Sequence, residues 1–432
     1  MSDRVQSSAA DQPSRRSFLK LSAAAAAGGA LAGSLAIGRS AHAAGSDVLK
    51  IGLIGCGGRG SGAAADALRA DPNLKLTALG DTFSDRVKSS LHNLSMQFGD
   101  KVAVADDRCF VGFDAYQKVI DSGVDVVILA SPPHFRPAHL KAVVAAGKHV
   151  FVEKPVAVDA PGVRSVQESC AEAKKKGISL VSGLCYRYDP GKRETIKRIH
   201  DGAIGDIVAI NVNYNTSPLK VFQRQPSWSE MEWQVRNWQY FNWLSGDHNV
   251  EQHVHSLDKA AWVMRDEPPK EAIGLGGRQV RADVEDCNNF DHHAVVYEYA
   301  SGVKLFAYCR QQSGCHIDVT DHIMGTKGRA ELMKHTIEGE AKWRYRGKTP
   351  SMYQEEHDAL FASIRSGQPI NNGEYMTRST MMAILGRMAT YSGQLITWDQ
   401  AINSTEKLGP DKYEWGALPV APVAKPGITQ FA

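Results

Sequence analysis

The sequence predicts an α/β protein of two unlike domains. The first is an N-terminal doubly wound parallel sheet; the second is an α+β domain with a mainly antiparallel sheet. Three observations carry this. From residue 48 to about 185, short apolar runs alternate with amphipathic helical stretches, the pattern of a parallel sheet covered on both faces. A glycine-rich turn follows the first of those runs. Beyond about residue 205 the hydrophobic period falls to two, as in strands with one buried face.

Ahead of these domains stands Ser14-Arg15-Arg16-Ser17-Phe18-Leu19-Lys20, then an Ala/Gly-rich stretch, Leu21–Ile37, then Ala41-His42-Ala43. This is the layout of a cleaved twin-arginine export signal over residues 1–43, with the export machinery as its partner. The apolar stretch is short and Ala/Gly-dominated, so no stable membrane span is expected after cleavage. The formal net charge is +3. Arg4, Arg15, Arg16, Lys20 and Arg39, set against Asp3 and Asp11, place that excess in the signal. The mature chain is near neutral and offers nothing to a nucleic acid. Its length suits two domains, 47–185 and 186–400, with a Pro-rich tail over 401–432. The seven cysteines include no CxxC pair, and a chain exported already folded from a reducing compartment should keep free thiols.

Strands are expected at Leu49–Ile54, Leu74–Leu79, Val124–Ala130, His149–Val152 and Ile178–Ser182. Helices are expected near 61–70, 84–98, 136–146 and 160–176. In the second domain Ile207–Tyr214, Ala294–Tyr299, Val303–Arg310 and Ile317–Met324 read as antiparallel strands, and Gly325-Thr326-Lys327-Gly328 as a hairpin turn. Helical segments near 351–366 and 375–391 close the chain.

Gly55-x-Gly57-x-x-Gly60 follows a strand and opens a helix, the context that turns a common string into a dinucleotide fingerprint of the Rossmann type. The turn, with Gly58 and Arg59 inside it, brings bare backbone and a helix N-terminus to a pyrophosphate. Asp81 ends the second strand, where a carboxylate accepts bonds from ribose hydroxyls and repels a 2′-phosphate. NAD is therefore favoured over NADP, while Arg59 and Arg86 keep NADP open. Ser131, Pro132 and His134 lie in the loop after the fourth strand, where the nicotinamide ribose is expected.

Glu153-Lys154-Pro155 comes straight after the fifth strand expected here. A lysine at the end of a buried strand must pair or face a cleft. Further on, Gly246 to Asp258 reads as one helix with His248, Glu251, Gln252 and His255 on a polar face. Together, the glycine fingerprint, the Glu-Lys-Pro triplet and the acid-x-x-x-His segment resemble the Gfo/Idh/MocA oxidoreductases over residues 48–395. The resemblance implies Lys154 at the nicotinamide and substrate hydroxyl, Glu153 beside the cofactor, His255 as the base, and Tyr186 as a substrate contact. Relatives usually place Asp four residues before that His; this chain has Glu251, whose longer side chain leaves its role open.

Oxidising a secondary alcohol requires a base for the hydroxyl proton while hydride leaves the same carbon, and a neutral imidazole serves near neutral pH. Trp228, Trp233, Trp238 and Trp243 recur every five residues, with Arg236 and Asn237 between them. Indoles can stack on sugar rings and Arg236 can bind hydroxyls, although a packed tryptophan-rich loop fits equally well. No metal is expected, because the His253/His255 and Asp291–His293 spacings match no zinc motif. The expected enzyme is an exported, periplasmic NAD(P)-dependent oxidoreductase of a sugar, polyol or glycoside, forming a dimer or tetramer. Free nicotinamide does not exchange in that compartment, so the cofactor should be tightly bound and restored within each cycle. Two other readings stand beside it. One is an NAD-dependent glycosidase working by transient oxidation and elimination; the other is a sugar-binding protein without turnover.

Overall fold

Six parallel strands form the first sheet: β1 (Leu49–Ile54), β2 (Leu74–Asp81), β3 (Cys109–Val111), β4 (Val126–Leu129), β5 (His149–Val152) and β6 (Leu180–Ser182), in the order β3-β2-β1-β4-β5-β6. This computed structural model describes residues 47–281 and 287–430; the twin-arginine motif, the apolar stretch and the cleavage site lie outside them. Val48–Ile364 and Gln368–Ala432 make one compact unit. Among the described residues no helix is long and apolar enough to cross a membrane.

The strands read as continuous apolar runs because both faces are covered. One face packs Ala63, Leu68, Val87 and Leu94 from the helices Gly58–Ala70 and Ser84–Phe98. The other packs Val119, Leu140, Val143 and Val163. β3 and the short helix Ala115–Asp121 escaped the sequence reading, since three- and seven-residue elements show too little periodicity. Local chemistry sets several helix starts. Asp159 caps Ala160–Lys175 by accepting from Gly162 N at 2.8 Å, and Asp189 caps Pro190–His200 by accepting from Lys192 N at 3.0 Å.

The second sheet has nine strands: β7 (Ile207–Thr216), β8 (Glu271–Gly277), β9 (His292–Glu298), β10 (Lys304–Gln311), β11 (Asp318–Gly325), β12 (Gly328–Glu331), β13 (Thr336–Gly339), β14 (Trp343–Arg344) and β15 (Ile396–Thr397). Their order is β14-β13-β12-β11-β7-β10-β9-β8-β15. The sheet is mainly antiparallel, but β7 and β10 run parallel at its centre, from Lys304 opposite Ala209 to Gln311 opposite Thr216. The expected hairpin joins β11 to β12 through Thr326-Lys327. The helices Val254–Val263 and Gly373–Ser392 pack on one face. The other face is open and carries exposed Ile273, Leu275, Tyr308 and Met324. The helix Met352–Ser366 sends Leu360, Phe361 and Ile364 back into the core of the first sheet.

Candidate active site

Strand order reverses between β1 and β4, so their carboxyl ends open a crevice. β1 runs into the glycine turn. Gly55 adopts a φ of 94°, and a Cβ on it would sit 2.5 Å from the Ala130 carbonyl carbon. A Cβ on Gly60 would collide with the Gly55 carbonyl oxygen, whereas Gly57 and Gly58 face open space. Two glycines thus pack the turn against the end of β4, and two present bare backbone to the crevice. No side chain caps the helix that starts at Gly58, which leaves its first N–H groups for an anionic ligand.

Asp81 closes β2, with Oδ2 accepting from Cys56 N at 2.7 Å and Oδ1 from Phe83 N at 2.9 Å. Each oxygen keeps a lone pair for a ribose hydroxyl. The crevice is a cavity of about 310 Å³. Glycine turn, Asp81, Arg86, Ser131 and Pro132 line one side; Phe222, Arg236 and Trp238 line the other. These residues fit a dinucleotide: bare backbone for phosphate, a carboxylate for ribose, and apolar walls.

Several side chains stand elsewhere than the sequence suggested. Arg236 and Trp238, expected at a sugar ring, face the nucleotide crevice. The five-residue tryptophan spacing is neither helical nor extended. The segment instead breaks into the helix Glu230–Arg236, the turn Trp238–Tyr240 and the helix Asn242–Ser245, which bury Trp233 and Trp243 with Phe83 and Phe135. His134 turns from the crevice to Trp243 and to the Tyr413 hydroxyl, 2.8 Å from its Nε2. His139 lines the crevice in its place, with Nδ1 3.1 Å from Ser131 Oγ. Arg86 lies over the Phe222 ring at 4.8 Å. Arg59 is held by Glu153 at 2.5 Å and by Glu356 at 2.8 Å.

Glu153 and Lys154 point to different partners. Glu153, 3% exposed, ties the end of β5 to the glycine turn through Arg59. Lys154 reaches the second domain: its Nζ donates to the Glu251 carbonyl at 2.6 Å and to Glu251 Oε1 at 3.0 Å. The Lys154–Pro155 peptide is cis.

The helix expected across residues 246–258 is broken. His248–Glu251 and Val254–Val263 are separate helices, with Gln252 and His253 between them. His248 therefore leaves the face of His255 and is buried against Asp247, Nδ1 to Oδ1 at 2.8 Å. Asp247 sits at φ 75° and also accepts from Phe290 N at 2.8 Å and from the Tyr391 hydroxyl at 2.5 Å. With His293, the pair brings three ligand-type atoms within 4.8 Å of one another. The Asp247 carboxylate already accepts from protein donors, which tie the turn before Glu251 to Phe290 and Tyr391.

His255 is 9% exposed, and burial, followed by the charges of Lys154, Lys259 and Arg59, holds its pKa well below 6.5. The Tyr186 ring meets it edge-on at 5.3 Å, and Tyr214 lies nearly parallel at 6.4 Å. Beneath Tyr186, the Lys259 ammonium sits 4.2 Å from the ring centre and pairs with buried Asp321 at 2.5 Å. Lys259 was findable, since it lies one helical turn after His255. Glu356 and Asp321 were not, because only the tertiary fold carries them to the site. All seven cysteines are free; Cys309 is buried on β10 while Cys315 is exposed.

Residues 49–182 match the oxidoreductase family with an NAD-binding Rossmann fold, and residues 193–331 match the Gfo/Idh/MocA C-terminal domain. Residues 12–32 match the twin-arginine translocation signal. Myo-inositol 2-dehydrogenase of Thermotoga maritima is 23% identical over 333 residues, covering 74% of this chain and 90% of the relative. The 2,7-anhydro-N-acetylneuraminate hydratase of Escherichia coli is 28% identical over 215 residues, 48% of this chain and 51% of the relative. Aldose-aldose oxidoreductase from Caulobacter crescentus, solved with glycerol, shares the fold at a TM-score of 0.63 and 18% identity, over 81% of this chain and 99% of that one. The chain is thus an NAD-binding oxidoreductase of the Gfo/Idh/MocA family that carries a twin-arginine export signal.

Proposed function

We propose that this enzyme oxidises a secondary alcohol carbon of a sugar, polyol or glycoside outside the cytoplasm. The observation that carries the reading is His255 buried beside Tyr186, with Lys154 paired to Glu251 on the preceding turn; burial, then the Lys154 charge, holds the imidazole pKa below its usual value. His255 Nδ1 is sealed from solvent, which leaves Nε2 to take the proton of a substrate hydroxyl. Lys154 Nζ steers the same oxygen and stabilises its developing negative charge. Glu251 fixes Lys154, which gives the longer acid in this chain a partner other than the imidazole. Tyr186 walls the pocket against His255. The bound nicotinamide supplies the hydride acceptor. Asp81 favours NAD, and Arg86 leaves room for NADP. The coenzyme is held through the cycle, so a second carbonyl compound must return it to its starting state.

The test uses mature protein purified without added coenzyme. A nicotinamide absorbance that bleaches or grows when sugars are added, without aglycone release from aryl glycosides, supports oxidoreduction. Aglycone release with no net redox change supports the glycosidase reading, which the hydratase relative favours because hydration also leaves the redox state unchanged. Absence of both responses and of nicotinamide rejects both.

The open face of the second sheet is proposed as the homo-oligomer surface. Register aligns Leu275 with Ala294 and Tyr308, and Ile273 with Val296 and Phe306, giving an apolar stripe that crosses three strands. Leu275 is 79% exposed. Leu275→Glu is expected to halve the solution mass measured by light scattering; an unchanged mass would rule this face out.

A further inference from the structure

The resident coenzyme proposed above needs a barrier to its loss, and the following inference rests on that reading. We infer that residues 219–245 and the tail 408–420 form a cover that locks the adenosine end of the dinucleotide in place. These stretches pack with Phe83 and Phe135 into an apolar cluster separate from the cores of both sheets. Their inner side supplies Phe222, Arg236 and Trp238 to the crevice, facing Asp81 and Arg86 where a ribose would sit.

Two contacts latch the cover to the nucleotide half. Arg236 lies over the Phe83 ring at 3.9 Å and bonds Asp85 at 3.2 Å, just past Asp81. Glu232, 2.8 Å from its Nε, fixes the guanidinium from behind. Trp415 packs on Phe83 at 5.5 Å and on Phe113 at 4.7 Å. The tail is pinned at both ends of its path: Leu408 N donates to Asp159 at 2.9 Å, and Gln234 donates to the Leu418 carbonyl at 2.8 Å. It therefore crosses from the nucleotide domain to the tryptophan-rich segment like a strap. The cover walls the crevice beside Asp81 and the strap packs on Phe83 and Phe113, which line it, so the adenosine end leaves only when the Arg236 and Trp415 contacts open. Four closely spaced tryptophans, unexplained by substrate binding, acquire a role in burying and stiffening this cover.

The test follows exchange of the bound coenzyme. Purified holoprotein is mixed with excess isotope-labelled NAD, and the protein-bound label is followed by mass spectrometry. Arg236→Ala and Trp415→Ala are expected to exchange at least tenfold faster than the parent protein. Trp415 is 48% exposed, so its truncation spares the core; folding of both variants is checked by circular dichroism. A parent protein that retains nicotinamide and responds to sugar, while both folded variants exchange at its rate, overturns the cover alone. A parent protein that exchanges within the mixing time overturns the resident-coenzyme reading and the cover with it.

Discussion

Lys154→Ala is expected to lower kcat/KM for alcohol oxidation by about 10³-fold, the scale set by removing one charge-stabilising donor from an active site. The loss should fall on kcat, because the interaction strengthens only as the hydroxyl oxygen becomes anionic. Nicotinamide retention should not change. On the proposed reading the dinucleotide rests on the glycine turn and Asp81, and the Glu153–Arg59 pair that braces the turn does not involve the Lys154 side chain. A second readout separates a chemical role from a packing role. The Lys154 charge is the largest cause after burial of the depressed His255 pKa. Removing it should raise that pKa, so the acid limb of the pH–rate profile should move to higher pH. Unimpaired turnover, or a large kcat loss with an unmoved acid limb, would refute the assignment.

How far the sequence reached depended on the range of the interactions involved. The glycine fingerprint, Asp81 and the strand–helix alternation are local patterns, and β1 and β5 appear at their expected bounds. Lys154 could be singled out because a buried strand end leaves a lysine few options. What failed was set by tertiary contacts. Asp247 is held out of the helix expected through residues 246–258 by Phe290 N and the Tyr391 hydroxyl, from segments 43 and 144 residues away, so the first helical turn starts only at His248. Of the four tryptophans, Trp238 lines the nucleotide crevice while Trp233 and Trp243 are buried with Phe83 and Phe135, partners equally remote in sequence. The all-round burial of Gly373–Ser392 hides its contact face from any periodicity argument.

Acidification is expected to destabilise the protein well before its carboxylates protonate. Five buried histidines are held uncharged by desolvation: His139 at about 3, His248 at about 4, and His253, His255 and His357 well below 6.5. Their folded pKa values lie below that of the unfolded chain. The unfolded state therefore gains protons first as pH falls through 6.5. The stability they contribute is complete above that pH and is lost progressively on the way down to the folded values. At pH 5 each contributes a loss of about 2 kcal/mol at most, at ~1.4 kcal/mol per pH unit. Partial relaxation around the charged rings reduces the sum, which leaves a Tm fall on the order of 10 °C between pH 7.5 and pH 5. His357 gives the sharpest check. Both its ring nitrogens are buried without a hydrogen-bond partner, and its ring packs on Phe151 at 4.2 Å, so Phe can take its place. His357→Phe should remove roughly one-fifth of the slope of Tm against pH, by additivity of independent sites. A Tm that stays level from pH 7.5 to pH 5, measured by calorimetry, would show that these imidazoles are not buried uncharged in the native protein.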